Sequence, residues 1–173
     1  MKDALGDILP EFTEEEKELI KGSCDFYAID AYTAYHIGAL PDGELERCAS
    51  NRTHSAWPDC SLSSSNAPDS FLMGPSADPG VSWLKSTPAG IRKFLNHITK
   101  VLHPSIPEIM VSEFGFAEPF ESEYTTIQDA TWDLRRADYI QGFLDNILLA
   151  IHEDGVNVTG AFAWSICKLP LSA

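Results

Sequence analysis

The stretch IMVSEFGF, from Ile109 to Phe116, constrains the fold of this chain more than any other segment. A short apolar run ends there in Glu113, which is followed by an aromatic residue and by Gly115. Such a run is typical of a buried parallel strand, whose end would bring Glu113 to the carboxyl edge of its sheet. In parallel α/β proteins that edge carries the chemistry. A strand-end glutamate that only faces solvent is the alternative, and the spacing alone does not separate the two.

Helices and further strands alternate along the chain around this segment. A capping box at Thr13 opens the first helix, and Thr87 caps a second helix that begins with Pro88. A long third helix stops at Gly155. Strands that alternate with amphipathic helices form parallel sheets through βαβ units, so the sequence predicts an α/β fold. The remaining short apolar runs predict strands at residues 26–33 and 156–164.

The residues expected to face the core recur at helical spacing in the second and third helices. In the second helix they are Ile91, Phe94, Leu95, Ile98, Val101 and Leu102. In the third helix they are Ile127, Leu134, Phe143, Ile147 and Ile151.

Residues 37–82 lack any sustained period and are rich in Ser, Pro, Asp and Gly. A segment of this length and composition predicts a long loop, which in compact domains is usually functional or disordered. The chain shows no internal repeat and no boundary of a second domain. We therefore expect one domain over residues 1–173 with this loop inside it.

Cysteines and a glycosylation sequon lie together in that predicted loop. Cys48 and Cys60 flank one polar stretch and could close it as a disulfide, which persists in oxidising compartments. The same stretch contains the sequon Asn51-Arg52-Thr53. Together they favour a secreted parent protein, although they do not locate this chain itself. Free thiols and an unmodified asparagine are the alternative.

The formal net charge of −14, with 26 acidic and 12 basic residues, disfavours binding to nucleic acid or to anionic membranes. No apolar run approaches the roughly 20 residues of a membrane span. The five histidines are scattered, and no metal, nucleotide or flavin motif is present. We therefore expect neither a metal nor a cofactor.

Six segments in order resemble one known family, the glycoside hydrolase family 1, or β-glucosidase family. The similarity is to the C-terminal part of that family and includes nearly all of the chain outside the loop and the last eight residues. The segments are Leu9–Ser23 (LPEFTEEEKELIKGS), Asp25–Tyr35 (DFYAIDAYTAY), Trp83–Leu95 (WLKSTPAGIRKFL), Ile109–Phe116, Asp133–Leu144 (DLRRADYIQGFL) and Glu153–Ser165 (EDGVNVTGAFAWS).

This resemblance implies the C-terminal part of a (β/α)8 TIM barrel, with about three parallel strands and their helices. A complete barrel needs roughly 250 residues, so 173 residues make an incomplete one. Met1 falls where the family has the helix after its fifth strand, which indicates an internal methionine. Residues 166–173 depart from the family pattern, which expects a glycone-binding glutamate and a tryptophan there. We therefore expect a single partial glycoside hydrolase domain.

The resemblance also implies a catalytic nucleophile. The family's Thr-Glu-Asn-Gly motif corresponds to Ser112-Glu113-Phe114-Gly115, which makes Glu113 the attacking carboxylate. Phe114 departs from the usual asparagine and removes a polar side chain beside it. Gly115 is expected to supply backbone freedom for the turn off the strand. Tyr32, in IDAYT, matches the family tyrosine that hydrogen-bonds the nucleophile.

Three further residues match substrate-binding positions of the family. Trp83 corresponds to a tryptophan on the aglycone side, and Trp164 to the tryptophan under the glycone. Asp30 stands where the family has asparagine, close to the sugar or the nucleophile. A carboxylate at that position would disfavour ionisation of Glu113 by like-charge repulsion. Strand-end residues with solvent or backbone partners are the alternative, and the role of Asp30 stays open.

The second catalytic carboxyl group of the family comes from an Asn-Glu-Pro motif on a strand that would precede Met1. Ala117-Glu118-Pro119 lacks the asparagine, and we interpret Glu118 as a loop carboxylate. Two functions remain. One is retaining hydrolysis of β-glucosides or oligosaccharides. The alternative is a truncated, non-catalytic fragment that at most binds sugars weakly or self-associates through exposed sheet edges.

Overall fold

The computed structural model describes residues 5–65 and 73–165, so the predicted tail at 166–173 lies outside the described residues. The chain divides into two compact units, which we describe separately. The first unit comprises Met1–Cys24 and Tyr35–Leu72. The second comprises Asp25–Ala34 and Met73–Ala173. The predicted site residues Asp30, Tyr32, Trp83, Glu113 and Trp164 all belong to the second unit.

A three-stranded parallel sheet forms the centre of the second unit. Its strands are β1 (Tyr27–Asp30), β4 (Ile109–Phe114) and β5 (Val158–Ala163), in the spatial order β1-β4-β5. The register places Ile29 opposite Val111 and Val111 opposite Ala161. The predicted parallel α/β arrangement is therefore confirmed.

Helices cover one face of this sheet. Helix α3 (Pro88–His97) continues into a π-helical turn (Ile98–Leu102), and helix α5 (Leu134–His152) follows a short helix α4 (Ile127–Thr131). Helices α3 and α5 pack against each other. Alternate residues of β4 point into this layer, because a strand's side chains alternate between its faces. The buried core comprises Ile29, Ala77, Leu84, Ile91, Leu95, Ile98, Ile109, Val111, Phe114, Phe116, Tyr139, Phe143, Ile147, Ala150 and Val156.

The predicted inward face of the third helix is wrong at its start. Ile127 is 81% exposed and Leu134 is 55% exposed. The helix breaks at Trp132, so that Ile127 belongs to α4 and α5 begins afresh after Asp133. Within α5 the buried residues recur at helical spacing, as Tyr139, Phe143, Ile147 and Ala150.

In the second helix, fewer of the predicted core residues are buried than expected. Ile91, Leu95 and Ile98 are buried, but Phe94, Val101 and Leu102 are exposed. The N–H of His103 bonds the carbonyl of Ile98, five residues back, which marks the π-helical turn. Because the π-helical turn is wider than an α-helical one, it rotates Val101 and Leu102 away from the core.

The first unit contains regular elements where a long loop was predicted at residues 37–82. Strands β2 (His36–Ala39) and β3 (Ser61–Ser64) pair antiparallel, and helix α2 (Glu44–Ser50) lies between them in sequence. Only Ile37 in β2, and no residue of β3, is of a type enriched in strands, so sequence reasoning did not find this pair of strands. Residues 66–72 of the predicted loop lie outside the described part of the chain.

The first unit also contains helix α1 (Glu14–Ile20), which confirms the predicted capping box. The hydroxyl of Thr13 accepts the N–H of Glu16, and the Glu16 carboxylate accepts the N–H of Thr13 at 2.8 Å. Across the described residues, no helix is long and apolar enough to cross a membrane.

Candidate functional site

Glu113 lies near the carboxyl end of β4, where it is hydrogen-bonded to the side chain of Tyr32. The Tyr32 Oη donates to Glu113 Oε2 over 2.5 Å, which joins residues 81 positions apart in sequence. The backbone reinforces this approach, because the N–H of Ala31 donates to the carbonyl of Glu113 at 2.9 Å. A charge-assisted bond of this length fixes one carboxylate oxygen and leaves Oε1 for other chemistry.

A residue of α5 hydrogen-bonds the backbone of Tyr32. Tyr139, which is fully buried, donates its hydroxyl to the carbonyl oxygen of Tyr32 at 2.7 Å. The Tyr139 ring stacks on Phe116 and on Phe143, with centroids 5.1 and 4.3 Å away. Phe143 in turn stacks on Phe114. Sequence reasoning missed Tyr139, because its helical spacing identifies a core residue but not a hydroxyl that orients Tyr32.

The proton on Tyr32 is firmly held. Burial raises the pKa of the Tyr32 hydroxyl far above its usual value of about 10, and its hydrogen bond to Glu113 raises that pKa further. The negative charges of Glu113 and Asp30 act in the same direction. Tyr32 therefore remains a hydrogen-bond donor to Glu113 throughout the neutral pH range.

Asp30 lies opposite Glu113 in the register of β1 and β4. Its Oδ1 accepts a hydrogen bond from the Ser112 hydroxyl at 2.7 Å. The same hydroxyl lies 3.1 Å from the carbonyl of Ile29, so Ser112 connects the two strands. The expected effect of Asp30 on the ionisation of Glu113 stays a prediction.

Trp83 is brought next to Tyr32 by contacts between its segment and the end of β1. The indole meets the Tyr32 ring edge-on, with centroids 6.0 Å apart. Thr33 bonds both backbone groups of Lys85, and the Thr87 hydroxyl accepts the N–H of Ala34 at 2.8 Å. Thr87 thus occupies the predicted N-cap position of α3, but its side chain stabilises this contact instead of capping the helix.

Trp164 follows β5 and is joined to the nucleophile strand through the backbone. Its N–H donates to the carbonyl of Phe114 at 2.7 Å. A Cβ atom on Gly115 would lie 1.9 Å from the Trp164 carbonyl oxygen. The expected reason for Gly115 is therefore wrong, because this glycine has no positive φ and permits a close approach of two backbones instead. Half of the Trp164 surface is exposed.

Glu118, on the loop after β4, is engaged elsewhere. It is 4% exposed, and its carboxylate accepts from the Arg135 guanidinium at 3.0 Å and from the Arg136 N–H at 3.2 Å. Arg136 also donates to the carbonyl of Phe116 and pairs with Glu121. This cluster anchors the loop that follows the candidate nucleophile. Sequence reasoning missed it, since no local pattern marks which loop carboxylates the two arginines bind.

The sulfur atoms of Cys48 and Cys60 are bonded, with Cα atoms 5.7 Å apart, which confirms the predicted disulfide. Asn51 lies between them in sequence and is exposed just after α2. Within residues 5–65 and 73–165, no three His, Cys, Asp or Glu side chains come together as a set that could bind a metal.

The profile of glycosyl hydrolase family 1 matches residues 1–169. Among curated proteins, the chain is 36% identical over 166 residues to beta-glucosidase 1B of Phanerodontia chrysosporium. It is 36% identical over 167 residues to beta-glucosidase 42 of Arabidopsis thaliana. Both alignments include 96% of this chain but 27% and 32% of those proteins. The chain thus spans about a third of the length of the curated relatives that it matches.

Solved structures give the same result. The beta-glucosidase of Humicola insolens in complex with glucose superimposes with a TM-score of 0.80 at 30% identity. The beta-glucosidase of Trichoderma harzianum gives a TM-score of 0.78 at 32% identity. Each comparison covers 96% of this chain and 32% of the solved one. The described parallel strands and helices are therefore similar to about a third of these barrel proteins, as the predicted fold class requires.

Proposed function

Because this chain belongs to glycosyl hydrolase family 1, we propose that it contributes the nucleophile side of a retaining β-glucosidase active site. The observation that carries the proposal is the 2.5 Å hydrogen bond from Tyr32 to Glu113 at the carboxyl edge of a parallel sheet. A strand-end glutamate that merely faced solvent would need no partly buried, proton-retaining partner. The whole protein's substrate would be a β-glucoside or an oligosaccharide with β-linked glucose.

In this proposal Glu113 attacks the anomeric carbon of the glucose ring. The bond from that carbon to the departing oxygen breaks as a general acid protonates the oxygen, which leaves glucose esterified to Glu113. Water then attacks the same carbon and gives its proton to the general acid's deprotonated carboxylate, and the carboxylate of Glu113 is released with retention of configuration. Glu118 is a poor candidate for the general acid, because it is buried and paired with Arg135.

Tyr32 would orient Glu113 and stabilise its negative charge. Its hydrogen bond holds Oε2, so that Oε1 is the oxygen available for attack. The bond favours the carboxylate both before attack and when the glucosyl ester is hydrolysed, since the charge is present in both states. Tyr139 would position Tyr32 by donating its hydroxyl to the backbone carbonyl of Tyr32, without touching the sugar.

Trp83, Trp164 and Asp30 would bind the substrate. The two indoles are about half exposed, and flat apolar surfaces suit the C–H faces of a pyranose ring. Trp83 adjoins Tyr32, and Trp164 follows the strand beside β4. The carboxylate of Asp30 offers an acceptor for sugar hydroxyls while it holds Ser112.

A chemical rescue experiment tests the nucleophile. The chain is joined to the corresponding remaining segments of the Trichoderma harzianum beta-glucosidase to complete a barrel. In this barrel Glu113→Ala should abolish turnover of an aryl β-glucoside, and added azide should restore it by attacking from the vacated side to give the α-glucosyl azide. Glu121→Ala, a matched loop control, should remain active without azide. A β-glucosyl azide product, or an active Glu113→Ala barrel, would contradict the proposal.

The exposed sheet supports a second candidate for the 173-residue chain by itself, which is association without catalysis. Among the described residues, no strand pairs with the outer edge of β1 or of β5. The face of the sheet opposite the helices is also open, and Phe162 on β5 is 57% exposed. Parallel sheets are normally covered on both faces, and open edges invite pairing with another chain. In a purified sample the partner would be a second copy.

Sedimentation velocity over a range of concentrations tests this association. The purified chain should form dimers or larger species, and Phe162→Lys should shift them towards monomer by placing charge on the open edge strand. Leu148→Lys is the matched control, because Leu148 is similarly exposed but lies on α5. A chain that stays monomeric at every concentration would refute this candidate without affecting the role of Glu113.

A further inference from the structure

Two sequences in this chain fit the acceptor pattern of N-linked glycosylation, Asn51-Arg52-Thr53 and Asn157-Val158-Thr159. Both asparagines are exposed, so neither the pattern nor exposure distinguishes them. Their hydrogen bonds and backbone surroundings differ, and these decide which side-chain nitrogen an enzyme can reach.

The side chain of Asn51 is folded back on its own sequon. Its Oδ1 accepts the N–H of Thr53 at 3.0 Å and the hydroxyl of Thr53 at 2.8 Å, which forms an Asx turn. Both bonds use the oxygen of the amide. The Nδ2 atom has no hydrogen-bond partner within the described part of the chain, and it stands on an exposed residue at the end of α2.

The side chain of Asn157 has the opposite arrangement. Its Nδ2 donates to the backbone carbonyl of Pro107 at 2.7 Å, and the backbone carbonyl of Asn157 accepts the N–H of Ile109 at 3.0 Å. Val158 and Thr159 lie in strand β5. Among the residues that the structure describes, the side chain of Asn157 bonds Pro107, and the Thr159 hydroxyl does not bond the Asn157 side chain. The acceptor nitrogen is engaged, and the sequon is held in the sheet.

We propose that Asn51 is an N-glycosylation site and that Asn157 is not an acceptor in the folded chain. The co-reactant is an oligosaccharide joined through a diphosphate to a lipid. The Asn51 Nδ2 forms a bond to C1 of the first sugar, the bond from C1 to the diphosphate oxygen breaks, and the lipid diphosphate leaves with that electron pair. The proton lost from Nδ2 passes to a base of the transferase.

The disulfide gives separate support, because N-linked glycosylation and disulfide formation both take place where secreted proteins are made. Cys48 and Cys60 lie on either side of Asn51 in sequence, and their bond requires the oxidising conditions under which secreted proteins are made. The segment between them is held further by the Arg52 guanidinium, which lies 5.9 Å from the centroid of the Trp57 ring. The disulfide and the Arg52–Trp57 contact therefore stabilise the exposed turn at Asn51, and neither involves the Asn51 Nδ2.

An acceptor assay with the folded chain tests the proposal. The oxidised, unglycosylated 173-residue chain is incubated with a purified oligosaccharyltransferase and a lipid-diphosphate oligosaccharide. Mass spectrometry should find one glycan per chain, on the peptide that contains Asn51. The modification should disappear in Asn51→Gln and in Thr53→Ala, persist in Thr53→Ser, and be unchanged in Asn157→Gln.

Two synthetic peptides, one for each sequon, provide the control for acceptor quality outside the fold. Both peptides should be glycosylated, which would assign the difference between the sites to the structure. A glycan on Asn157 of the folded chain would overturn the proposal, as would the absence of a glycan on Asn51. The assay involves neither Glu113 nor glucoside hydrolysis, so its outcome is independent of the proposed function.

Discussion

Replacing Gly115 by alanine should destabilise the second unit, because the added methyl group meets the backbone of the neighbouring strand's end. The new Cβ would lie 1.9 Å from the carbonyl oxygen of Trp164 and 3.0 Å from its carbon. The two backbone segments must separate by about 1.5 Å to reach ordinary contact. The 2.7 Å hydrogen bond from Trp164 to Phe114, one residue away, is then lost.

The expected loss of unfolding free energy follows from these two effects. Overpacking typically costs about 1–3 kcal/mol, and one lost backbone hydrogen bond about 1 kcal/mol. Gly115→Ala should therefore lower the free energy of unfolding by about 2–4 kcal/mol. With a urea dependence of about 2 kcal/mol per molar, the midpoint of unfolding should fall by roughly 1–2 M.

Urea unfolding followed by far-ultraviolet circular dichroism measures this shift. Gly38→Ala is the matched control, because its Cβ would meet only the His36 ring at an ordinary distance of 3.7 Å. That variant should unfold within about 1 kcal/mol of the original chain. A Gly115→Ala midpoint equal to that of Gly38→Ala would refute the argument that the close approach to Trp164 requires glycine.

Three further predictions follow from other contacts. Tyr139→Phe should cost about 1 kcal/mol in thermal unfolding, because it removes the hydroxyl that bonds the carbonyl of Tyr32, and a cost near zero would contradict that contact. Hydrogen bonds from Arg92 and Asn96 depress the pKa of Asp154, so the stability they add is present above about pH 4 and is lost as the pH falls further. Urea titrations should show Arg92→Gln less stable than the original chain at neutral pH, with a difference that shrinks steadily as the pH falls below about 4, and a constant difference would refute the linkage. The 173-residue chain alone should hydrolyse cellobiose at least about 10²-fold more slowly than the completed barrel, since the family's acid/base motif is absent from its sequence, and equal rates would contradict this.

The parallel sheet could be predicted because its strands depend on local sequence, whereas the pairing of Glu113 with Tyr32, 81 positions apart, could be predicted only from the family resemblance. An apolar run identifies a buried strand wherever it occurs, and a strand-end carboxylate must lie at the sheet's carboxyl edge. The family resemblance supplied the partner tyrosine. The disulfide between Cys48 and Cys60 followed from spacing in one polar stretch.

The features that sequence reasoning missed depend on distant or weak signals. The exposure of Ile127 reflects a helix break that no proline or glycine marks. The role of Gly115 depends on Trp164, which lies 49 positions further along the sequence. The contacts of Arg136 with Phe116 and Glu121 join residues 20 and 15 positions apart and depend on how α5 packs against the loop. Periodicity detects which residues are buried, but it does not detect which polar groups meet.

Covalent trapping tests the central claim, that Glu113 is the attacking carboxylate, most directly. A fluorinated glucoside with an activated leaving group needs a nucleophile but little acid assistance, so the completed barrel should accumulate the glucosyl ester. Mass spectrometry of the digested protein should place the fluoroglucosyl label on Glu113, and Tyr32→Phe should slow its accumulation. A label on Glu118 or Glu121, or no label on a folded barrel, would contradict the account.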